Sequence, residues 1–261
     1  MVNDFKGRNA IITGGGSGIG FEIAKQLLDL NIDHVILIGR NGEKLQRAKT
    51  NLGPRYDEKI RTLSLDISDT ENMLKVMNDF LSSLPFKIDI LVNNAGVMCQ
   101  QLFPLITEDE FDRVMNTNIK AVFFLSQLFS KYMISNEIKG NILMVGSTSS
   151  ARPALNPYML SKWAVRGLTS GLAKALIPYG IVVNGIAPGP TATEMLGKDG
   201  SDLYNEKNPS KRYCSAEEVA NLAIQLVGTG GRMIVGDLVY ISGGAATITF
   251  DDQSYRLPEI N

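Results

Sequence analysis

Two side chains four positions apart, Tyr158 and Lys162, could together carry out proton transfer. On an α-helix, residues four apart lie on the same face, so the phenol and the ammonium group would point into the same space. A lysine beside a phenol favours the phenolate and is expected to lower the tyrosine pKa, which is about 10 in water. Tyr158 is therefore a candidate general acid or base at cellular pH. Because solvated Tyr–Lys pairs on helix surfaces share this spacing, the assignment depends on the rest of the chain.

A glycine-rich segment near the amino terminus has the composition of a phosphate-binding turn. It is Thr13-Gly14-Gly15-Gly16-Ser17-Gly18-Ile19-Gly20. An apolar run of strand type precedes it at residues 9–12, and apolar residues at helical spacing follow it. In such a strand–turn–helix unit, glycines let the backbone approach a pyrophosphate, and the N–H groups at the helix start attract its charge. The order of the flanking elements favours a dinucleotide site over an ordinary flexible glycine turn.

Taken together, these two features resemble the short-chain dehydrogenase/reductase superfamily, and in particular its short single-domain subgroup. Further matches are Asn93-Asn94-Ala95-Gly96, Asn118, Ser147, Pro188-Gly189 with Thr193, and the closing segment Val239-Tyr240-Ile241-Ser242-Gly243-Gly244. The resemblance extends from Gly7 to about Gly244. Members that reduce 3-oxoacyl thioesters on acyl carrier protein share this general pattern. The order of the matches, more than any single one, makes the resemblance specific.

Apolar runs of strand length alternate with helical patterns along the chain. The predicted strands are residues 10–13, 35–38, 61–65, 88–92, 141–145, 181–186 and 238–241, and the predicted helices are 19–30, 43–52, 70–84, 108–135, 157–179 and 216–227. Nearly continuous apolar strands indicate burial on both faces, and hence a parallel sheet between helices. With the resemblance, this predicts an α/β fold, a Rossmann-type doubly wound seven-stranded parallel sheet with helices on both faces. We expect residues 1–261 to form a single domain.

The composition excludes several other classes of protein. A net charge of −1 gives no reason to expect nucleic acid or an anionic membrane as a partner. No apolar run is long enough for a membrane span, and the amino terminus does not resemble a signal peptide. The single histidine, His34, is expected to cap or enter a strand, and no His/Cys/carboxylate cluster predicts a metal. Cys99 and Cys214 lie far apart, which suits a reducing cytoplasm.

The resemblance implies a set of catalytic residues. Tyr158 would exchange the proton at the substrate oxygen, while Lys162 would lower its pKa and hold the nicotinamide ribose. Ser147 would hydrogen-bond the substrate carbonyl, and Asn118 would hold a water that links Lys162 to solvent. Hydride attack on a ketone leaves negative charge on oxygen, which hydroxyl donors from Ser147 and Tyr158 would stabilise.

Two of these assignments have competitors nearby in the sequence. Ser149 is the alternative to Ser147, because the segment between serine and tyrosine is about two residues shorter than is usual in the family. Ser147 is favoured because it lies just beyond a strand end, where such sites form. Asn116 competes with Asn118, whose following residues match the family better.

The end of the second strand determines the expected cofactor. Rossmann sites that select NAD place a carboxylate there to bind the ribose 2′-hydroxyl. Here Gly39 and Arg40 occupy this place, and Asp33 lies at the wrong end of the strand. An arginine can bind a 2′-phosphate through two hydrogen bonds, so we expect NADP(H) to be preferred, with NAD(H) as a possible cofactor. The residues expected to bind the cofactor are Gly14, Ser17, Gly18, Ile19, Gly20, Arg40, Asp66, Asn93, Ala95, Gly96, Tyr158, Lys162, Pro188, Gly189, Thr191 and Thr193.

The predicted function is hydride transfer between a nicotinamide cofactor and a ketone or secondary alcohol. The alternatives are an epimerase or dehydratase on the same fold and a catalytically weak nucleotide sensor. The substrate stays open among acyl thioesters, sugars, steroids and small ketones, as does the physiological direction. Relatives imply a homodimer or homotetramer through the two long helices, where Val122, Phe123, Phe124, Leu125, Leu128 and Phe129 cover much of one helix. Residues 190–213, with Gly197, Gly200 and Pro209, are predicted to form a substrate lid.

Overall fold

A computed structural model describes residues 4–198 and 202–245 of the chain. Within these residues, seven parallel strands form one sheet in the order β3-β2-β1-β4-β5-β6-β7. The strands are β1 (Asn9–Thr13), β2 (His34–Gly39), β3 (Ile60–Ser64), β4 (Ile90–Asn93), β5 (Asn141–Val145), β6 (Val182–Pro188) and β7 (Leu238–Ile241). This confirms the predicted parallel sheet. The order reverses between β1 and β4, where ligands bind in sheets of this kind.

Helices cover both faces of the sheet. They are α1 (Gly18–Asp29), α2 (Gly42–Leu52), α3 (Thr70–Ser83), α4 (Glu108–Met115), α5 (Ala121–Ser135), α6 (Pro157–Leu176) and α7 (Ala216–Val227). Successive strand residues point to opposite faces, so Ile11 and Ile12 of β1 enter two different apolar clusters. Helices α1, α2 and α7 contribute to the cluster of Ile12, and α3, α5 and α6 contribute to that of Ile11.

Two predicted helices differ from those observed. The segment predicted as one helix over residues 108–135 contains a π-helical turn, Asn116–Lys120, between α4 and α5. The helix predicted over 157–179 ends as an α-helix at Leu176 and continues as a short 3₁₀ turn, Ile177–Tyr179. Pro178 lies in that turn, and a proline cannot donate the backbone hydrogen bond that an α-helix needs.

The amino-terminal edge of the sheet is held by a network around Arg8. Its guanidinium forms an ion pair with Asp89 and donates hydrogen bonds to the Asn141 side chain (2.8 Å) and to the Val227 carbonyl (2.8 Å). These partners lie at the starts of β4 and β5 and at the end of α7. The network thus joins three elements at the edge opposite to the carboxyl ends of the strands. Residues 4–198 and 202–245 contain no helix long and apolar enough to cross a membrane.

Candidate active site

A cavity of about 1320 Å³ lies along the carboxyl ends of the central strands. Its wall includes the last residues of β1, β5 and β6, Thr13, Val145 and Pro188. Pockets for small ligands span ~300–1,000 Å³. This cavity therefore has room for a dinucleotide and a second molecule beside it.

The glycine segment forms one wall of the cleft and leaves the start of α1 open. Gly14 and Gly18 adopt positive φ angles of 67° and 57°, a conformation that glycine adopts without strain. Ser17 precedes α1 without capping it, and the first turn of α1 carries no acidic residue. By contrast, side chains cap α2, α3, α4, α6 and α7. Gly18 and Ile19 at the start of α1 line the cleft, and uncapped N–H groups at a helix start suit a pyrophosphate.

Asn94 holds the glycine segment in place, a role that the sequence analysis did not assign. Its side-chain amide donates to the carbonyls of Thr13 (2.9 Å) and Gly14 (3.2 Å), and its backbone N–H donates to the Thr13 hydroxyl (3.0 Å). Gly20, which is predicted to bind the cofactor, also permits this close approach. A Cβ at Gly20 would lie 2.5 Å from the Asn94 amide nitrogen and 2.5 Å from the Gly14 carbonyl oxygen. The one feature of the sequence that could have indicated this role is that Asn94 directly follows a predicted strand.

The Asn93 side chain points away from the cleft, so its predicted role in cofactor binding stays a prediction for its backbone alone. It is buried, and its amide donates to the Ser126 hydroxyl (3.0 Å) and contacts the Met144 sulfur (3.3 Å) in the core below the sheet. Alternation along β4 sends this side chain to the face of α5, so it stabilises the packing there. The neighbouring Ala95 and Gly96, which are also predicted to bind the cofactor, do line the cleft.

Tyr158 and Lys162 meet in the cleft from the first two turns of α6, as their spacing predicted. Asn156 caps this helix by accepting the Met159 N–H (2.9 Å), which places Tyr158 in the first turn. The Lys162 Nζ lies 5.6 Å from the centroid of the Tyr158 ring and donates to the carbonyl oxygen of Val145 at 2.9 Å. The lysine is buried, and the carbonyl at the end of β5 supplies its hydrogen bond.

The expected lowering of the Tyr158 pKa is wrong for this structure. Burial raises the pKa of Tyr158, and hydrogen bonding with the Ser147 hydroxyl offsets only part of that rise. Burial also lowers the pKa of Lys162 from 10.5 to about 8. Desolvation disfavours the charged form of either group, and it is the largest effect on both pKa values. Both side chains are thus shifted towards their neutral forms.

Ser147 lies beside Tyr158, whereas Ser149 supports it through the backbone. The Ser147 hydroxyl accepts the Ser149 N–H (3.1 Å) and hydrogen-bonds to the Tyr158 phenol. Both serines line the cleft, and Ser150 is buried with its hydroxyl on the Ser147 carbonyl (2.7 Å). The direct contact with Tyr158 favours Ser147 over Ser149 as the residue that holds the substrate oxygen.

The π-helical turn places Asn118 behind the site. Its side chain is 1% exposed, accepts the Val97 N–H (2.8 Å), and donates to the Val97 carbonyl (2.9 Å) and the Ser161 hydroxyl (3.2 Å). A Cβ at Gly96 would lie 3.4 Å from the Asn118 Oδ1 and 3.8 Å from the Lys162 Nζ, so these side chains flank the same glycine. Asn118 does not form part of the cleft wall; it holds the segment after β4 that carries Gly96 and Val97.

The far end of the cleft has cations where an NAD site would have an acid. Arg40 and Lys44 line this end beside Gly39, at the carboxyl end of β2. Asp66 also lines it, and its carboxylate accepts hydrogen bonds from the backbone N–H (2.9 Å) and the hydroxyl (2.7 Å) of Ser68. A carboxylate from far along the chain, Glu194, forms an ion pair with Lys44. Nothing in the sequence pattern indicated this contact.

The segment after β6 is held more firmly than its composition suggested. Thr191 pairs with Cys214 and Tyr204 with Arg212 in isolated bridges, and the Ser210 N–H donates to the Gly243 carbonyl (3.1 Å). Asn208 is buried, with its amide on the Ser242 carbonyl at 3.2 Å. Pro188, Gly189, Thr191 and Thr193, which are predicted to bind the cofactor, all line the cleft, and so do Met195 and Leu196. Gly200 lies outside the described residues.

Comparison with known proteins agrees with this geometry. The family model described as short chain dehydrogenase matches residues 8–203. A gluconate 5-dehydrogenase of Gluconobacter oxydans is 31% identical over 245 residues, which cover 91% of this chain and 94% of that protein. The 3-oxoacyl-[acyl-carrier-protein] reductase FabG of Rickettsia bellii is 32% identical over 246 residues, which cover 92% of this chain and 98% of that protein.

Solved structures extend the likeness to the whole fold. A short chain dehydrogenase from Burkholderia cenocepacia in complex with NADP has a TM-score of 0.81 and 30% identity, and the match covers 92% of this chain and 98% of that one. A 3-ketoacyl-(acyl-carrier-protein) reductase from Brucella melitensis complexed with NADH has a TM-score of 0.83 and 27% identity, covering 93% and 100%. The chain therefore belongs to the short-chain dehydrogenases and is an oxidoreductase that transfers hydride between a nicotinamide cofactor and a carbonyl or alcohol group.

Proposed function

We propose that the protein is an NADP(H)-preferring oxidoreductase for a ketone or secondary alcohol, with Tyr158 as its general acid and base. The observation that carries the proposal is the meeting of Ser147, Tyr158 and Lys162 in the same cleft as the uncapped start of α1. The glycine segment would hold the pyrophosphate, and Lys162 and Thr193 would hold the nicotinamide half. The bound cofactor supplies or accepts the hydride.

In the direction of reduction, the side chains would manage the charge that develops on the substrate oxygen. The Ser147 hydroxyl donates a hydrogen bond to that oxygen, and the Tyr158 phenol donates its proton to it. A raised pKa keeps Tyr158 protonated at neutral pH, which suits a proton donor. Lys162, whose Nζ lies 5.6 Å from the centroid of the Tyr158 ring, would stabilise the phenolate left after transfer. Asn118 keeps Val97 and Gly96 in position beside Lys162.

The preference for NADP(H) is supported by the residues at the end of β2. Gly39 leaves space there, Arg40 and Lys44 line the cleft, and no acidic residue of β2 takes the place of an NAD-type carboxylate. Arg40 forms no side-chain hydrogen bond or ion pair with any described residue, so its guanidinium is available for a phosphate.

Two variants test the proposal directly. Wild type should oxidise NADPH with members of a ketone panel that includes keto-sugar acids and 3-oxoacyl thioesters, the substrate chemistries named for similar proteins. Tyr158→Phe should lose this turnover and retain NADPH binding. Arg40→Asp should shift the binding preference towards NADH. NADPH binding without turnover of any ketone would favour the nucleotide-sensor alternative, and wild-type binding of NADH at least as tight as of NADPH would refute the preference.

Further parts of the proposal concern the whole protein. We propose one domain over residues 1–261, a substrate lid over 190–213, a cytoplasmic location, and a homodimer or homotetramer. Two unpaired cysteines support the cytoplasmic location. Of the residues that suggested an oligomer, Val122, Leu125, Leu128 and Phe129 are buried in the protomer, so they no longer support it. Phe123 of α5 is 47% exposed. Two large apolar residues of α6, Leu160 and Trp163, are also exposed, at 43% and 42%.

A further inference from the structure

The carboxylate of Glu194 lies at the corner of the cleft where the adenosine end of a cofactor would be bound. Glu194 follows Thr193 in a single 3₁₀ turn after β6. It forms an ion pair with Lys44, 150 positions earlier in the chain, and it also accepts a hydrogen bond from the Ser17 hydroxyl. The Lys44 hydrogen bond and charge lower the pKa of Glu194, with the Arg47 charge adding to the effect. The carboxylate is therefore ionised at neutral pH.

The groups that Glu194 engages are those that suit a phosphate. Ser17, Arg40 and Lys44 line the same end of the cleft, and they offer a hydroxyl and two cations. Of the described residues that line the cleft, only Asp66 and Glu194 are acidic, and Asp66 is engaged by Ser68. Glu194 is thus the carboxylate that binds a cation, Lys44, which a phosphate in this corner would also need.

A 2′-phosphate and the Glu194 carboxylate would compete for Lys44. A phosphate brings about two negative charges, which repel a nearby carboxylate and require the same ammonium group. A 2′-hydroxyl is neutral and brings no such repulsion, so NAD(H) could bind with the Glu194–Lys44 pair intact. Because the Glu194 and Lys44 side chains are 68% and 36% exposed, water screens the pair and the penalty should be moderate.

We propose that Glu194 is a specificity-determining residue that narrows the preference for NADP(H) over NAD(H) by withholding Lys44 from the 2′-phosphate. The inference rests on the proposed NADP(H) site at Arg40 and Lys44. It also gives the segment after Thr193 a distinct role at the adenosine end of the cleft, separate from its contacts at the nicotinamide end.

The test measures binding rather than turnover. Dissociation constants for NADPH and NADH are determined by cofactor fluorescence, and those for adenosine 2′,5′-bisphosphate and 5′-AMP by calorimetry, for wild type and Glu194→Gln. We expect Glu194→Gln to tighten NADPH and the bisphosphate by about three- to tenfold and to change NADH and 5′-AMP by less than about twofold. Glu206→Gln is the matched control, since it removes one charge from an exposed position in the same segment that does not line the cleft.

The outcomes separate this inference from the cofactor preference on which it rests. The wild-type ratio of NADPH to NADH affinity tests the preference, whereas the change of that ratio in Glu194→Gln tests the role of Glu194. Equal changes for both cofactors, weaker NADPH binding, or the same shift in Glu206→Gln would overturn the inference. Glu194 is exposed, so neither variant should misfold, and thermal unfolding checks this. Glu194→Ala should change the affinity for NADPH in the same direction as Glu194→Gln.

Discussion

At the scale of single residues, burial acts on the two central side chains in opposite directions. It raises the pKa of the Tyr158 phenol and lowers that of the Lys162 ammonium, so both groups are shifted towards neutrality. The sequence placed them on one helix face correctly. It could not give the direction of the two pKa shifts, because these depend on how deeply the folded chain buries each side chain.

The two candidate serines should differ strongly in activity. Ser147→Ala removes a hydroxyl donor beside the substrate oxygen, and we expect kcat/KM for ketone reduction to fall about 10²- to 10³-fold with NADPH binding unchanged. Ser149→Ala is the control, because Ser149 contacts Ser147 through its backbone N–H, which the substitution retains. We expect it to change kcat/KM less than about threefold. A larger loss in Ser149→Ala would exchange the two roles.

The pKa of Lys162 predicts a particular dependence of stability on pH. A buried lysine with a folded-state pKa of about 8 and an ordinary value of 10.5 costs stability below pH 8, and the cost is relieved as pH rises towards 10.5. Relative to Lys162→Met, wild type should therefore gain about 2 to 3 kcal/mol of unfolding free energy between pH 7 and pH 10. Urea denaturation of both proteins measures this difference. A constant difference across that range would show that Lys162 is not desolvated as the structure indicates.

At the scale of elements, the glycine segment and Asn94 form a packed unit that a methyl group should disrupt. A Cβ at Gly20 would meet the Asn94 amide and the Gly14 carbonyl at 2.5 Å, so we expect Gly20→Ala to cost roughly 2 to 4 kcal/mol of stability. Gly42→Ala is the control, since a Cβ at this first residue of α2 meets only the Ser64 side chain, at 3.7 Å. It should change stability by less than about 1 kcal/mol. Comparable losses in both variants would contradict the proposed packing.

The proposed lid should respond to ligands in one half more than in the other. Backbone bonds such as Tyr213 N–H to Leu203 (2.7 Å) and Ser210 N–H to Gly243 (3.1 Å) should already protect residues 202–213 from hydrogen exchange. The backbone N–H groups of residues 196–198 donate only to carbonyls of their own turn, so residues 193–198 should exchange quickly alone and slowly with NADPH and a substrate analogue. Exchange mass spectrometry measures both halves, with α7 as an internal reference. Equal exchange of 193–198 in both states would rule out a lid.

Local pattern predicted the elements well and their long-range contacts poorly. The runs 141–145, 216–227 and 238–241 coincide with observed elements because strand and helix periodicity are local properties. The π-helical turn at Asn116–Lys120 changes that periodicity by one residue, and no local signal marked it. The packing roles of Gly20 and the Asn93 side chain were missed for a related reason: a residue within a binding motif can also serve packing. The Lys44–Glu194 pair joins residues 150 positions apart, which periodicity cannot detect.

At the scale of the whole molecule, the exposed apolar residues of α5 and α6 predict self-association. Phe123→Glu places a charge on this surface and should lower the mass of the assembly in light scattering at micromolar concentration, where wild type should give a multiple of the chain mass. Lys25→Glu changes charge on the exposed side of α1 and should leave the mass unchanged. A monomeric wild type would refute the oligomer, and an unaffected Phe123→Glu would place the interface elsewhere.

Because all seven strands are parallel, their carboxyl ends lie on one side of the sheet and their amino ends on the other, and the two sides have different roles. Ser147, Gly39 and Pro188 follow or end their strands at one edge, while Arg8, Asp89 and Asn141 secure the other. Substitutions in loops at the carboxyl ends should therefore change substrate specificity without disturbing the Arg8 network. Substitutions that strengthen that network should leave the chemistry unchanged. Because the two sets of residues lie far apart, substrate specificity and folding stability should vary almost independently in this protein.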